Sequence, residues 1–99
     1  MNERTSNYAY ILRCADGTFY CGWTNDLSRR LAAHNAGTGS RYTRSRRPVV
    51  LAYQEAFETP REARSREWHL KRLTHKQKEA LIFSGASHPS QSESEESQT

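Results

Sequence analysis

The chain has 99 residues, 34% of them hydrophobic, enough for one small domain with a modest core. Its 15 Lys and Arg against 11 Asp and Glu give a net charge of +4, and Arg far outnumbers Lys, which fits a polyanionic partner better than mere solubility. No stretch approaches the roughly 20 apolar residues of a membrane span, and no apolar run follows the amino terminus, so composition argues against a membrane protein and a secretory leader.

In chain order, residues 1–7 are polar and read as a flexible N-terminal segment. Tyr8 to Cys14 and Thr18 to Trp23 are β-favouring runs around Ala15-Asp16-Gly17, which predicts a hairpin. A three-residue loop with Gly17 in the left-handed region sets Cys14 opposite Thr18, Leu12 opposite Tyr20 and Tyr10 opposite Gly22. Tyr10 and Tyr20 then share a face as diagonal neighbours, roughly 7–8 Å apart at Cα. Gly22 leaves a gap beside Tyr10 that a ligand could fill. Ile11, Phe19, Cys21 and Trp23 occupy the other face and can pack on a helix.

Thr24-Asn25-Asp26 is a helix start, with Asn25 expected as the cap, and the helix runs from Asp26 to about Ala36 before Gly37. Leu27 and Leu31 repeat toward the core, and Arg30 and His34 share a neighbouring face one turn apart. Gly37 to Arg47 reads as a loop carrying Arg41, Arg44, Arg46 and Arg47 around Tyr42. Arginines with an interleaved aromatic suit a nucleic-acid backbone track with base stacking.

Pro48 to Phe57 is a mostly buried strand. Thr59-Pro60-Arg61-Glu62 is a capping box opening a helix to about Leu73, in which Trp68 is expected to pack; Thr74 starts a last helix ending near Gly85. Residues 86–99, rich in Ser, Glu and Gln, read as a disordered acidic tail. Cys14 and Cys21 have no metal-ligand spacing and read as structural thiols of a reduced, cytoplasmic protein. The expected fold is a small α/β domain over residues 8–85: a three-stranded antiparallel sheet flanked by helices, in the order β-β-α-β-α-α.

Two phenols on the hairpin, an arginine and a histidine on the first helix and Glu67 on the next are the parts needed to hydrolyse a phosphodiester. The ordered set resembles the GIY-YIG endonuclease superfamily in its small single-domain form. Tyr8-Ala9-Tyr10 stands where the first motif belongs, with Tyr8-Ala9 in place of Gly-Ile. Tyr20-Cys21-Gly22 stands for the second. Arg29-Arg30 follows, Arg30 being the better match because His34 lies four residues on. Glu67 resembles the metal-binding glutamate, and no asparagine follows Asn35, where larger members carry a late one.

The resemblance implies Tyr10 as general base assisted by Tyr20, Arg30 on the transition-state phosphate, His34 orienting water or phosphate, and one Mg²⁺ or Mn²⁺ on Glu67. Tyr8 and Gly22 are then structural parts of the motifs, and Arg29 joins the loop arginines as a nucleic-acid contact. DNA is the expected partner, with RNA left open, and a monomer is favoured. Nothing looks like a base-reading element, which points to structure-selective or single-stranded cutting with a possible place in repair or recombination. A nucleic-acid-binding module without turnover is the alternative. A third reading makes the chain a protein-interaction adaptor that docks a basic partner on its acidic tail.

Overall fold

The computed structural model describes residues 6–84. Among them follow β1 (Asn7–Arg13), β2 (Phe19–Thr24), α1 (Leu27–Ala36), α2 (Arg41–Arg44), β3 (Val50–Phe57), α3 (Pro60–Lys71) and α4 (His75–Phe83). The strands form one antiparallel sheet in the order β2-β1-β3. Asn7 already belongs to β1, where it is buried and donates from Nδ2 to the Glu58 carbonyl at 3.2 Å. The expected tail, 86–99, lies outside the described residues.

The hairpin has the expected register, with Leu12 opposite Tyr20 and Tyr10 opposite Gly22. Its turn closes when the Cys14 amide donates to Thr18 and the Gly17 amide to Cys14, with Gly17 at φ 86°. Asp16 Oδ1 accepts from the Thr18 amide at 3.1 Å and stiffens the corner.

The alternation of β1 feeds two cores. Ala9 and Ile11 join Cys21, Tyr53 and Leu70 of α3 on one face. Tyr10 and Leu12 join Cys14 and Val49 on the other, covered by Leu27 and Leu31 of α1. A register shift between Ile11 and Leu12 skips Ala52 and lets β3 send Tyr53 to the first face and Leu51 to the second. The two faces therefore carry different helices, α3 on one and α1 on the other.

Three local expectations are corrected. The cap of α1 is Asp26, not Asn25, because the Asp26 carboxylate accepts from the Arg29 amide at 3.1 Å while Thr24 Oγ1 takes the Asp26 amide. The segment Gly37 to Arg47 is not all loop: Ser40 caps the single turn α2 by accepting from the Thr43 amide. Trp68 does not pack; it is 55% exposed, with the Arg72 guanidinium 4.6 Å from its ring centre. Both later helices begin with complete capping boxes, Thr59 with Glu62 and Thr74 with Gln77.

Candidate active site

Among the largest fully buried side chains are three polar ones in contact: Tyr10, His34 and Thr43. The Tyr10 hydroxyl lies 3.0 Å from His34 Nε2, and His34 Nδ1 lies 2.8 Å from Thr43 Oγ1. A neutral imidazole has one N–H and one bare nitrogen, so the chain of bonds runs in a single direction. The Thr43 hydroxyl has Ser40 Oγ at 3.0 Å and the Ser40 carbonyl at 3.4 Å to receive its hydrogen. That arrangement favours Tyr10 donating to Nε2, Nδ1–H donating to Thr43, and Thr43 donating to Ser40.

Each member is held by a different element. Tyr10 comes from the central strand and fills the space a Cβ at Gly22 would take, where it would lie 2.5 Å from the phenol oxygen. The gap beside Tyr10 is thus closed by Tyr10 itself and is not open to a ligand. His34 comes from the last turn of α1, and Thr43 from α2. The Asn35 side chain brackets Val49, donating to its carbonyl at 2.9 Å and accepting from its amide at 2.7 Å. This clamp ties α1 to the start of β3 and fixes His34 one residue away.

Burial controls the titration of the pair. It raises the Tyr10 phenol above its ordinary value; the neighbouring Arg30 guanidinium pulls the other way, while Tyr20 and Glu67 add to the rise. Burial, reinforced by Arg30, lowers His34 to about 4. At neutral pH the resting pair is a neutral phenol against a neutral imidazole.

Of the other expected residues, Tyr20 and Arg30 lie against this pair. Tyr20, half-buried, presents its ring edge-on to His34 at 5.2 Å. Arg30, also half-buried, anchors through Nη2 to the Gly39 carbonyl at 2.9 Å. A Cβ at Gly39 would strike the His34 ring. Glu67 lies on α3, beyond the opposite face of the sheet, close enough to influence Tyr10 electrostatically. Its Oε2 sits 3.0 Å from Lys71 Nζ, and its side chain is 19% exposed. Arg29 is exposed and lines a shallow cleft with Arg30 and Asp26. Tyr8 is half-buried in β1, opposite Thr24.

The arginine loop divides into two kinds. Arg41 and Arg44 are exposed. Arg46 pairs with Asp16 at 3.1 Å, donates to the Tyr42 carbonyl at 2.8 Å and lies 3.9 Å over the Tyr42 ring. Arg47 donates to the carbonyls of Arg44 and Asn35. An acid from the hairpin turn therefore enters a stretch that has none of its own, and two of its four cations brace the loop. Tyr42 stacks on Tyr20, ring centres 5.9 Å apart.

Thr43 was missed as a site residue because its charged neighbours dominate the composition. The usable signal was Ser40 three residues before it, a helix-cap spacing.

A three-stranded sheet with paired tyrosines on its hairpin and a buried phenol–imidazole contact beside an arginine is the build of a nuclease-like domain. The family model of the GIY-YIG catalytic domain matches residues 6–80, and the chain belongs to that family. It is similar to the UPF0213 protein of Clostridium perfringens, 56% identical over 78 residues, covering 79% of this chain and 84% of the relative. It is likewise similar to the UPF0213 protein VNG_2274C of Halobacterium salinarum, 49% identical over 76 residues, covering 77% and 99%. The solution structure of a UPF0213 protein from Bacillus halodurans is 39% identical, with a TM-score of 0.52, covering 94% of this chain and 98% of that one. The solution structure of an Enterococcus faecalis protein is 43% identical, with a TM-score of 0.55, covering 89% and 95%. No helix among the described residues is long and apolar enough to cross a membrane.

Proposed function

We propose that the protein is an endonuclease that hydrolyses phosphodiester bonds in DNA, choosing single-stranded, flapped or branched structure over sequence. The observation that carries this reading is the fully buried Tyr10–His34–Thr43 chain beside Arg30. Buried polar groups are costly unless they are paired, and paired ones at an arginine suit proton transfer next to an anion.

In this reading Tyr10 Oη takes a proton from the attacking water while its own proton passes to His34 Nε2. The hydroxide so formed attacks phosphorus as the P–O bond to the departing strand breaks, the departing oxygen takes up a proton from solvent and His34 Nε2 gives its extra proton back to solvent, while Nδ1–H holds Thr43 throughout. Arg30 faces the nonbridging oxygens, and its charge offsets the negative charge that builds on them. Tyr20 packs the far side of His34 and steadies the water. Arg29, Arg41 and Arg44 draw the strand in, with Arg46, Arg47 and Tyr42 forming the braced edge of the track.

Glu67 is the group that would hold a divalent cation. Among the described residues no three His, Cys, Asp or Glu cluster as a metal cage, so the donor set is one carboxylate. That set fits Mg²⁺ or Mn²⁺, hard ions that keep several waters and take remaining ligands from substrate phosphate. The cation, when bound, would offset charge on the departing oxygen; Lys71, 3.0 Å from Glu67 Oε2, would compete with it for that carboxylate.

Labelled single-stranded, duplex, flap and branched DNA, with an RNA strand alongside, tests the proposal with and without Mn²⁺. The expected result is metal-dependent cutting that Tyr10→Phe and Glu67→Ala both abolish. Binding without any product, unaltered by either variant, refutes hydrolysis and leaves the non-catalytic binding module. Flapped and branched strands arise in repair and recombination, which is the setting we assign to the activity.

A further inference from the structure

Beside the catalytic cluster, Phe19, Tyr20, Cys21, Tyr42, Lys71 and Lys78 line a cleft of about 230 Å³. It combines stacked aromatics with two ammonium groups. The Tyr20 and Tyr42 rings are 23° from parallel, and Phe19 is backed by His75, stacked at 4.5 Å. Lys71 is held by Glu67 at 3.0 Å. Lys78 is half-buried and has no ion-pair partner among the described residues. A partly desolvated ammonium without an acid calls for an anion. Both lysines line the same cleft as Cys21, whose thiol is raised by burial while the charges of Lys78 and then Lys71 act in the opposite direction.

We infer that this cleft is a subsite for one unpaired nucleotide adjoining the scissile phosphate, its phosphate held by Lys78 and Lys71 and its base against the aromatic wall. The inference rests on the nuclease reading and adds the place where an unpaired nucleotide of that substrate is held. Two links place the subsite next to the reacting phosphate. Tyr20 belongs to both the cleft and the phenol–histidine cluster, and Lys71 is bound to Glu67. The cleft, about 230 Å³, is smaller than the roughly 300 Å³ at which drug-sized pockets begin, in keeping with one nucleotide rather than several. Stacking also needs an open base face, which a duplex hides and an unpaired or splayed base offers.

The test is binding of the full chain, in EDTA, to a short fluorescein-labelled single strand and to its duplex, across a salt series. Losing one phosphate contact lowers the slope of log affinity against log salt by about 0.7 for a single strand, or about fivefold in affinity at 0.1 M salt. Lys78→Ala is expected to lose that much on the single strand and nothing on the duplex, with Lys78→Arg restoring it. Unchanged affinity and slope in Lys78→Ala overturn the subsite, even if the protein cuts DNA. Equal loss on single strand and duplex overturns the unpaired nucleotide and leaves general electrostatic attraction. Because no metal is present and no turnover is read, a chain that never cuts DNA can still pass this test, which separates the two failures.

Discussion

Replacing Thr43 by Val removes a hydroxyl while keeping the shape of the side chain, and among the described residues His34 Nδ1 has no other hydrogen-bond partner. His34 and Thr43 are both fully buried, and Nδ1 has Oγ1 at 2.8 Å. If Nδ1 keeps its proton, that N–H is orphaned; if the imidazole changes tautomer, the bare Nδ1 is orphaned instead. Neither choice escapes the desolvation penalty of about 1–3 kcal/mol. For a domain of this size each kcal/mol shifts the melting temperature by about 4–8 °C. Thermal and urea unfolding should therefore place Thr43→Val well below the parent and Thr43→Ser close to it. The chemistry should suffer more than the stability. In the second tautomer Nε2–H donates to Tyr10 and can no longer accept its proton, so kcat falls even at temperatures where the variant is fully folded. A Thr43→Val protein within about 0.5 kcal/mol of the parent, the range of an ordinary surface change, would refute the reasoning.

Two further outcomes follow from the same cluster. His34 is held at about 4 in the fold against an ordinary 6.5, so between those values the unfolded chain binds the extra proton. Stability from this group is complete above pH 6.5 and is lost as pH falls toward 4, on the order of 3 kcal/mol in total. Urea titrations should show that His34→Gln flattens the slope in this window, and an unaltered slope counts against the burial argument. Gly22→Ala introduces a Cβ 2.5 Å from the Tyr10 oxygen, an overpacking worth about 1–3 kcal/mol. It should lower both the melting temperature and any cutting rate, and a stable, fully active variant would mean that Tyr10 does not need its position.

Much of the scaffold was legible because the deciding interactions are local. Ala15-Asp16-Gly17 sets a turn, the turn sets the register, and the register puts Tyr10 and Tyr20 on one face. The capping boxes at Thr59 and Thr74 are equally local, four residues each. Asp26 was misjudged in favour of Asn25 because both side chains can cap, and only the backbone path decides between them. Trp68 was misjudged because its helix period allows burial, whereas α3 turns Ala63 and Leu70 to the sheet and leaves Trp68 with Arg72 outside.

The site itself was readable as a set of residue types and not as a geometry, since the bonds that join its separate elements span long stretches of chain. Tyr10 and His34 are 24 residues apart, Asn35 and Val49 are 14, and Arg46 and Asp16 are 30. A pattern of spacings carries no information about which nitrogen of His34 meets which hydroxyl. The same limit applies to the sign of the charge field. In the sequence the stretch Arg41 to Arg47 is a bare cationic run; in the fold Asp16 neutralises part of it, and Lys71 and Lys78 place positive charge on the far side of Tyr20. Under the proposed function, the expected path of a polyanion shifts with these charges, past the exposed Arg41 and Arg44 and toward the cleft that Lys78 lines.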